Sequence, residues 1–236
     1  MLLIGFIGVT FSPIISIIQN SMMTVQAGSV ENYTFRELLN NTIWNNMAIF
    51  FPMILALVGG HFIDREYVDD TLKNILCIPI SMRRMVAGKL CTLGVITILL
   101  SLYNFIVTLV VGLLFCRAFK ECLYGGLQII GMGICLFIAE MPVIAWCARK
   151  QDAFKAGAVL SFVLGYLSIF LKSSVIRNIY PYSAGLSVIQ FDTTGFVSDI
   201  TSGNGMNTFL GIGTMMLLII ITCFIVLTLP KHMEEN

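Results

Sequence analysis

One acidic side chain lies deep within an apolar stretch of this sequence. Glu140, in GICLFIAEMPVIAWCA, precedes Arg149 by nine residues, or roughly 13 Å along a helix. A carboxylate in hydrocarbon is costly, so it usually faces the interior of a helix bundle and marks a functional site. Glu140 could contact a cationic or amphipathic substrate or form a gate hydrogen bond. Equally, it could be a protonated or paired carboxyl that fixes its helix, near a carbonyl freed by Pro142.

Asparagines also interrupt the apolar stretches. Asn104 joins Glu140 as a candidate for the substrate path. Asn45, Asn46 and Asn104 are, however, of a type that more often forms hydrogen bonds between helices than binds a ligand.

Charged side chains are concentrated in a second place, the segment from Asp64 to Lys89, DREYVDDTLKNILCIPISMRRMVAGK. It carries nine of the chain's 27 charged side chains in 26 of its 236 residues. Helical periodicity runs through Leu76, and Pro79 predicts a break near residues 77–79. Ser81 is a plausible N-cap for a second helix, MRRMVAGK, that continues into the next apolar stretch.

Two uses of this segment fit its composition. It could be a solvated loop whose basic side chains touch lipid headgroups. A lipid-binding loop would be mostly basic, however, whereas this helix has both signs of charge beside an apolar stripe. That pattern suits docking into a groove on a cytoplasmic partner.

Several sequence motifs are absent, and their absence excludes the kinds of catalysis that depend on them. The sequence contains no GxxxxGK[ST], so it does not bind ATP through a P-loop, and no HExxH or GxSxG. The seven cysteines form no CxxC pair, and no histidine lies near enough to complete a zinc site. Cys116 and Cys122 flank a short loop and could form a disulfide if that loop faces an oxidising exterior.

The composition indicates that the segments carrying these residues are embedded in a membrane. Hydrophobic residues make up 57% of the chain and charged residues 11%, too few charges for the surface of a soluble domain. Apolar runs of about 20 residues are long enough to cross hydrocarbon as helices. We predict an all-α integral membrane protein, one transmembrane domain over 1–236, with six spans at about 1–18, 43–62, 90–116, 123–148, 156–171 and 208–229.

The distribution of basic residues predicts the orientation. Nine Lys and Arg lie in the segments after spans two and four and in the tail, against five on the other side. Both termini and the segment 64–89 are therefore predicted to be cytoplasmic, and 172–207 extracellular, with SAGLSVIQF in or near the membrane interface. Met1 lies directly in an apolar run, so we expect a basic cytoplasmic stretch upstream of it.

The segment 64–89 resembles the cytoplasmic loop of ABC-2 type permeases, the membrane subunits of ATP-binding-cassette exporters. That family's loop has a Glu, then Gly-Thr-Leu, two apolar positions, Pro-Ile-Ser-Arg and a Lys opening the third span. The matching positions here are Glu66, Thr71, Leu72, Ile75, Leu76, Pro79, Ile80, Ser81, Arg83 and Lys89. Asp70 stands where Gly is usual. The small size and the SPII step in span one resemble bacitracin and lantibiotic self-protection permeases.

The resemblance implies a six-helix bundle with an amphipathic coupling helix between spans two and three, in a bacterial cytoplasmic membrane. Two permease chains, alike or related, would each dock on a separate ATPase subunit, which binds ATP and Mg²⁺; no cofactor is expected in this chain. The partner interface would comprise Glu66, Asp69, Asp70, Thr71, Leu72 and Lys73. Arg83, Arg84 and Lys89 would anchor the next helix at the headgroups.

Two other classes of membrane protein are alternatives to the permease. A self-sufficient secondary transporter or channel would use Glu140, although the sequence shows no clear inverted repeat. An intramembrane protease needs clustered Glu and His within its spans, whereas the paired Glu234 and Glu235 lie in the tail. Neither class accounts for the charged segment 64–89.

Overall fold

The computed structural model of the chain describes residues 2–27, 34–68, 82–116, 122–148, 153–171, 173–192 and 207–229. All regular elements within these residues are helices, in agreement with the predicted all-α class. They are α1 (Leu2–Ala27), α2 (Phe35–Asn45), a π-helix (Asn46–Phe50), α3 (Phe51–Val68), α4 (Met82–Phe115), α5 (Cys122–Cys147), α6 (Ala153–Leu167) with a 3₁₀ turn (Ser168–Phe170), α7 (Ser174–Ile179), α8 (Ala184–Val188) and α9 (Thr208–Leu227).

Five stretches of these helices are long and apolar enough to cross a membrane: Leu2–Ser21, Phe35–Asp64, Arg83–Phe115, Cys122–Cys147 and Thr208–Leu227. They correspond to the first four and the last of the predicted spans. The predicted span at 156–171 corresponds to a shorter apolar helix, Lys155–Phe170. That helix would reach about 24 Å, less than the ~30 Å of hydrocarbon, so a sixth crossing stays a prediction.

The second long helix begins eight residues before the apolar run that predicted its span at 43–62. Its start at Phe35 is fixed by a capping box. The Thr34 hydroxyl accepts a hydrogen bond from the Glu37 N–H at 3.4 Å, and the Thr34 N–H donates to the Glu37 carboxylate at 2.9 Å. Two otherwise unpaired donors of the first turn are thereby satisfied, which lets the helix begin in a polar sequence.

One irregular turn interrupts this helix near its middle. The Phe51 N–H donates to the carbonyl of Asn46, five residues back, as in a π-helix. Pro52 follows directly; it has no N–H, and its ring would clash with the carbonyl four residues earlier in a regular α-helix. Gly165 of α6 packs here, where an added Cβ would lie 2.8 Å from the Ala48 carbonyl oxygen and from Pro52. The wider turn therefore accommodates the proline, and the glycine permits close contact with α6.

The π-helix with α3, together with α5, occupies the centre of the bundle, and α1, α4 and α9 present apolar side chains on its outside. α3 packs against α6, α4 against α5, and α5 against α9. α8, from the SAGLSVIQF stretch predicted to be near the membrane interface, is buried against α5 and α9. Cys116 and Cys122 are both free thiols, so the structure does not contain the disulfide that their spacing allowed.

Candidate functional site

The start of α4 is tied to two other helices through the basic residues that follow the charged segment. The Arg83 Nε donates to the carbonyl of Leu229, just beyond the end of α9, at 3.0 Å. The Lys89 ammonium donates to the carbonyl of Phe62, within the last two turns of α3. A carbonyl just beyond a helix C-terminus, such as that of Leu229, carries partial negative charge and attracts a cation. We call these two contacts the α4 clamp.

The third predicted headgroup anchor behaves differently. Arg84 lies between the clamp residues in sequence, and its side chain is exposed. Arg83 and Lys89 are half-buried, with their polar groups on protein carbonyls. Contact with headgroups stays a prediction for all three side chains, but two of them also hold helices together.

Most of the predicted partner interface falls outside the described residues. Asp69, Asp70, Thr71, Leu72 and Lys73 lie in the gap between residues 68 and 82, and so does the predicted helix break at 77–79. The Glu66 backbone lies in the last turn of α3, which continues unbroken from the membrane-spanning stretch to Val68. The α4 helix begins on the other side of the gap at Met82 and runs unbroken into the next span, as the MRRMVAGK pattern predicts.

Glu140 is fully buried, between α5 and α6. The Ser161 hydroxyl of α6 donates to one of its carboxyl oxygens, Oε2, at 2.7 Å. The hydroxyl of Tyr182, in the turn before α8, lies beside the same carboxyl. Within the described residues, the Glu140 Oε1 and the Tyr182 hydroxyl have no hydrogen-bond partner of good geometry. One carboxyl oxygen therefore accepts a hydrogen bond from Ser161, and the other has no partner among the described residues. The first fits a carboxyl that holds its helix in place, and the second fits a carboxyl that is available to a substrate or gate.

Ser161 and Tyr182 were not singled out from the sequence. Ser161 lies 21 residues from Glu140 along the chain, and the two meet because α5 and α6 pack together. Hydropathy and periodicity identify that each helix exists but not which faces meet. A serine within an apolar helix is itself a weak signal for an interhelical hydrogen bond.

Asn104, the other candidate for the substrate path, is engaged with its neighbours. Its Oδ1 accepts a hydrogen bond from the Asn46 Nδ2 at 2.8 Å, and its Nδ2 donates to the Val9 carbonyl at 3.1 Å. The residue before Asn46 also bonds to α1: the Asn45 Nδ2 donates to the Ser16 hydroxyl and to the Gln19 Oε1, both at 3.1 Å. All three asparagines therefore form the interhelical bonds that their residue type favours.

The comparisons with known proteins agree with this architecture. Residues 1–168 match the ABC-2 family transporter protein family. The chain is also similar to a bacitracin transport permease protein of Bacillus licheniformis, at 22% identity over 160 residues that cover 64% of this chain and 73% of that protein. No solved structure matches the chain. Because the family match extends over more than half of the sequence, the protein belongs to the ABC-2 family of transporter proteins.

Proposed function

We propose that this chain is the membrane permease subunit of an ATP-driven exporter that moves or extracts a peptide antibiotic or another amphipathic substrate. Its family supports a membrane component of an ABC transporter, and its similarity to a bacitracin transport permease supports the substrate class. ATP and Mg²⁺ would bind to a separate ATPase subunit, because the chain has no P-loop. The complex would lie in a bacterial cytoplasmic membrane with a second permease chain, and both termini would face the cytoplasm.

The α4 clamp is the observation that carries the coupling part of the proposal. The charged segment connects the end of α3 to the start of α4, and Lys89 and Arg83 then join that start to the ends of α3 and α9. A partner that displaces the segment would therefore act on three helices together rather than on a flexible loop. This is the connection a permease needs if closure of its ATPase partner is to move its spans.

Glu140 is the group best suited to meet a cationic part of the substrate. It lies at the contact of α5 with α6, and its Oε1 has no hydrogen-bond partner among the described residues. Relative movement of these two helices would change the surroundings of the carboxyl. The alternative, a self-sufficient secondary transporter, would also use Glu140 but would need no ATPase.

Co-purification tests the class of the protein. The tagged chain is solubilised gently from its native membrane, and an ATP-hydrolysing subunit is sought beside it. We expect that subunit to be present and to be lost when Glu66→Gln and Asp69→Asn are combined, since the resemblance to ABC-2 permeases implies a partner interface at both residues. A chain that purifies alone in every mild detergent, yet accumulates substrate without ATP, would contradict the proposal and favour the secondary transporter.

The clamp has a matched test within the same helix. We expect Arg83→Gln and Lys89→Gln to keep the ATPase subunit bound but to lower protection of cells against bacitracin, the probe suggested by the similar permease. Arg84→Gln is the control, because Arg84 is exposed and contributes no bond to the clamp. If all three variants protect as well as the wild type, the clamp does not transmit movement.

A further inference from the structure

A buried cation lies at the end of the bundle opposite to the charged segment. Arg177 is on α7, in the connection between α6 and α9, and its side chain is 1% exposed. It lies against Trp44 of α2, with the guanidinium carbon 5.9 Å from the centre of the indole ring. In the sequence, Arg177 is distinguished only as one of the five basic residues on the predicted extracellular side.

Most of the hydrogen-bonding capacity of this guanidinium is unused. One terminal nitrogen, Nη2, donates to the Leu171 carbonyl. Within the described residues Nε and Nη1 have no partner, and these two atoms carry one and two N–H groups respectively. No carboxylate in that part of the chain is paired with the guanidinium either.

Such a group needs acceptors beyond those that the described residues supply. Burial lowers the pKa of the Arg177 guanidinium, because water no longer solvates its charge. Arginine nevertheless stays protonated, so the unused N–H groups remain donors in a site where the described residues supply no countercharge. An oxyanion would supply both the missing charge and the missing acceptors.

The position of the site favours one kind of oxyanion. Arg177 lies in the connection between α6 and α9, outside the five stretches apolar enough to cross a membrane, and Trp44, a residue type enriched at the membrane interface, packs against it. Phosphate groups of lipids are concentrated at this level. We propose that Arg177 and Trp44 form a binding site for a phosphate oxyanion, supplied either by a lipid headgroup or by phosphate in solution.

The indole of Trp44 provides a direct probe. The chain has two tryptophans, and Trp146 is half exposed at the other end of the bundle, so Trp146→Phe leaves Trp44 as the sole emitter. The full chain in dodecyl maltoside micelles is titrated with dioleoyl phosphatidic acid and, separately, with inorganic phosphate at constant ionic strength. We expect a saturable change in Trp44 emission. A response to phosphatidic acid alone identifies a lipid phosphate, and a response to both identifies the oxyanion as sufficient.

Substitutions of the arginine establish that the response comes from this site. Arg177→Gln is expected to raise the apparent Kd about tenfold or more, because it removes the charge-assisted donors. Arg177→Lys keeps the charge and should weaken binding less, which decides the question if the glutamine variant does not fold. Arg36→Gln, an exposed arginine at the start of α2, is the matched control. No saturable response, or equal responses in the wild type and both Arg177 variants, would overturn the proposal, and neither result depends on an ATPase partner.

Discussion

The hydrogen bond between Asn46 and Asn104 offers the sharpest quantitative test of how this bundle is held together. It joins the π-helix to α4 at 2.8 Å, and both side chains are almost fully buried. Asn104 also donates to the Val9 carbonyl of α1. Replacing Asn104 by leucine, which has a similar volume, removes both bonds and leaves the Asn46 amide without its acceptor.

The expected loss follows from the two bonds. Interhelical hydrogen bonds in membrane proteins contribute about 0.6 kcal/mol on average and at most about 1.7 kcal/mol, so two bonds give about 1–3 kcal/mol. The stranded Asn46 amide adds a desolvation cost of about 1 kcal/mol. We therefore expect Asn104→Leu to lower the free energy of unfolding by about 2–4 kcal/mol. In a cycle with Asn46→Leu, the double variant should cost less than the sum of the singles by about 0.6–1.7 kcal/mol.

Equilibrium unfolding in mixed micelles, with sodium dodecyl sulfate as denaturant and circular dichroism as readout, measures all four proteins of the cycle. Thr108→Val is the control, since the Thr108 hydroxyl is buried in α4 and its hydrogen bond among the described residues lies within its own helix, to the Asn104 carbonyl. A threonine hydroxyl bonded to the carbonyl four residues earlier adds little to helix stability, so this substitution should change it by no more than about 0.5 kcal/mol. Additivity of the two asparagine substitutions within about 0.3 kcal/mol would refute the reasoning. If Asn104→Leu instead left the stability unchanged but abolished protection against bacitracin, Asn104 would be better explained as part of the substrate path.

Three further substitutions test the packing and the caps by the same unfolding measurement. Ser161→Ala should cost about 0.5–1.5 kcal/mol, because it removes the hydrogen bond from the Ser161 hydroxyl to the buried Glu140 carboxyl. Glu140→Gln can keep that bond and should cost less, and an unchanged stability in Ser161→Ala would show that Ser161 does not stabilise the carboxyl. Gly165→Ala should cost about 1–3 kcal/mol, since the new Cβ would lie 2.8 Å from a carbonyl oxygen of the π-helix, while Gly213→Ala, in open space on α9, should be neutral or slightly stabilising. Thr34→Ala should cost about 0.5–2 kcal/mol by removing the capping box, and an unchanged stability would mean that the helix start is fixed by packing alone.

The membrane class and most of the spans could be predicted because they depend on composition along the chain. An apolar run of 20 residues has few alternatives to a membrane-crossing helix. The helix start at Phe35 does not follow from the apolar run at 43–62, because hydropathy responds to apolar residues while a polar pair, Thr34 and Glu37, sets the helix start. That pair matches the capping-box pattern, so the signal for the earlier start was present in the sequence.

Which residues come together in the candidate site depends instead on which helix faces pack against each other. Glu140 and Asn104 could be selected because polar residues are rare in such stretches. Their partners could not, because the carboxyl of Glu140 meets Ser161 only through the contact of α5 with α6. Arg177 shows the same limit: its count among basic residues says nothing about whether it lies in water or is buried beside Trp44.

The positions of these contacts indicate how a displacement of the charged segment would spread through the bundle. The helix from Phe35 to Val68 is about 51 Å long, and its one irregular turn among the described residues is the π-helix at its middle. Helices bend most easily where the regular ladder of hydrogen bonds is interrupted. α4 is joined to this helix at Phe62 through Lys89 and at Asn46, the first residue of the π-helix, through Asn104, about 22 Å further along the axis of α4. These two contacts would oppose a bend at the π-helix, so we expect a push at Val68 to move α4 and the helix from Phe35 to Val68 as a pair. α6 meets them through close packing at Gly165, so the surface that shifts lies between α6 and that pair, beside the buried carboxyl of Glu140.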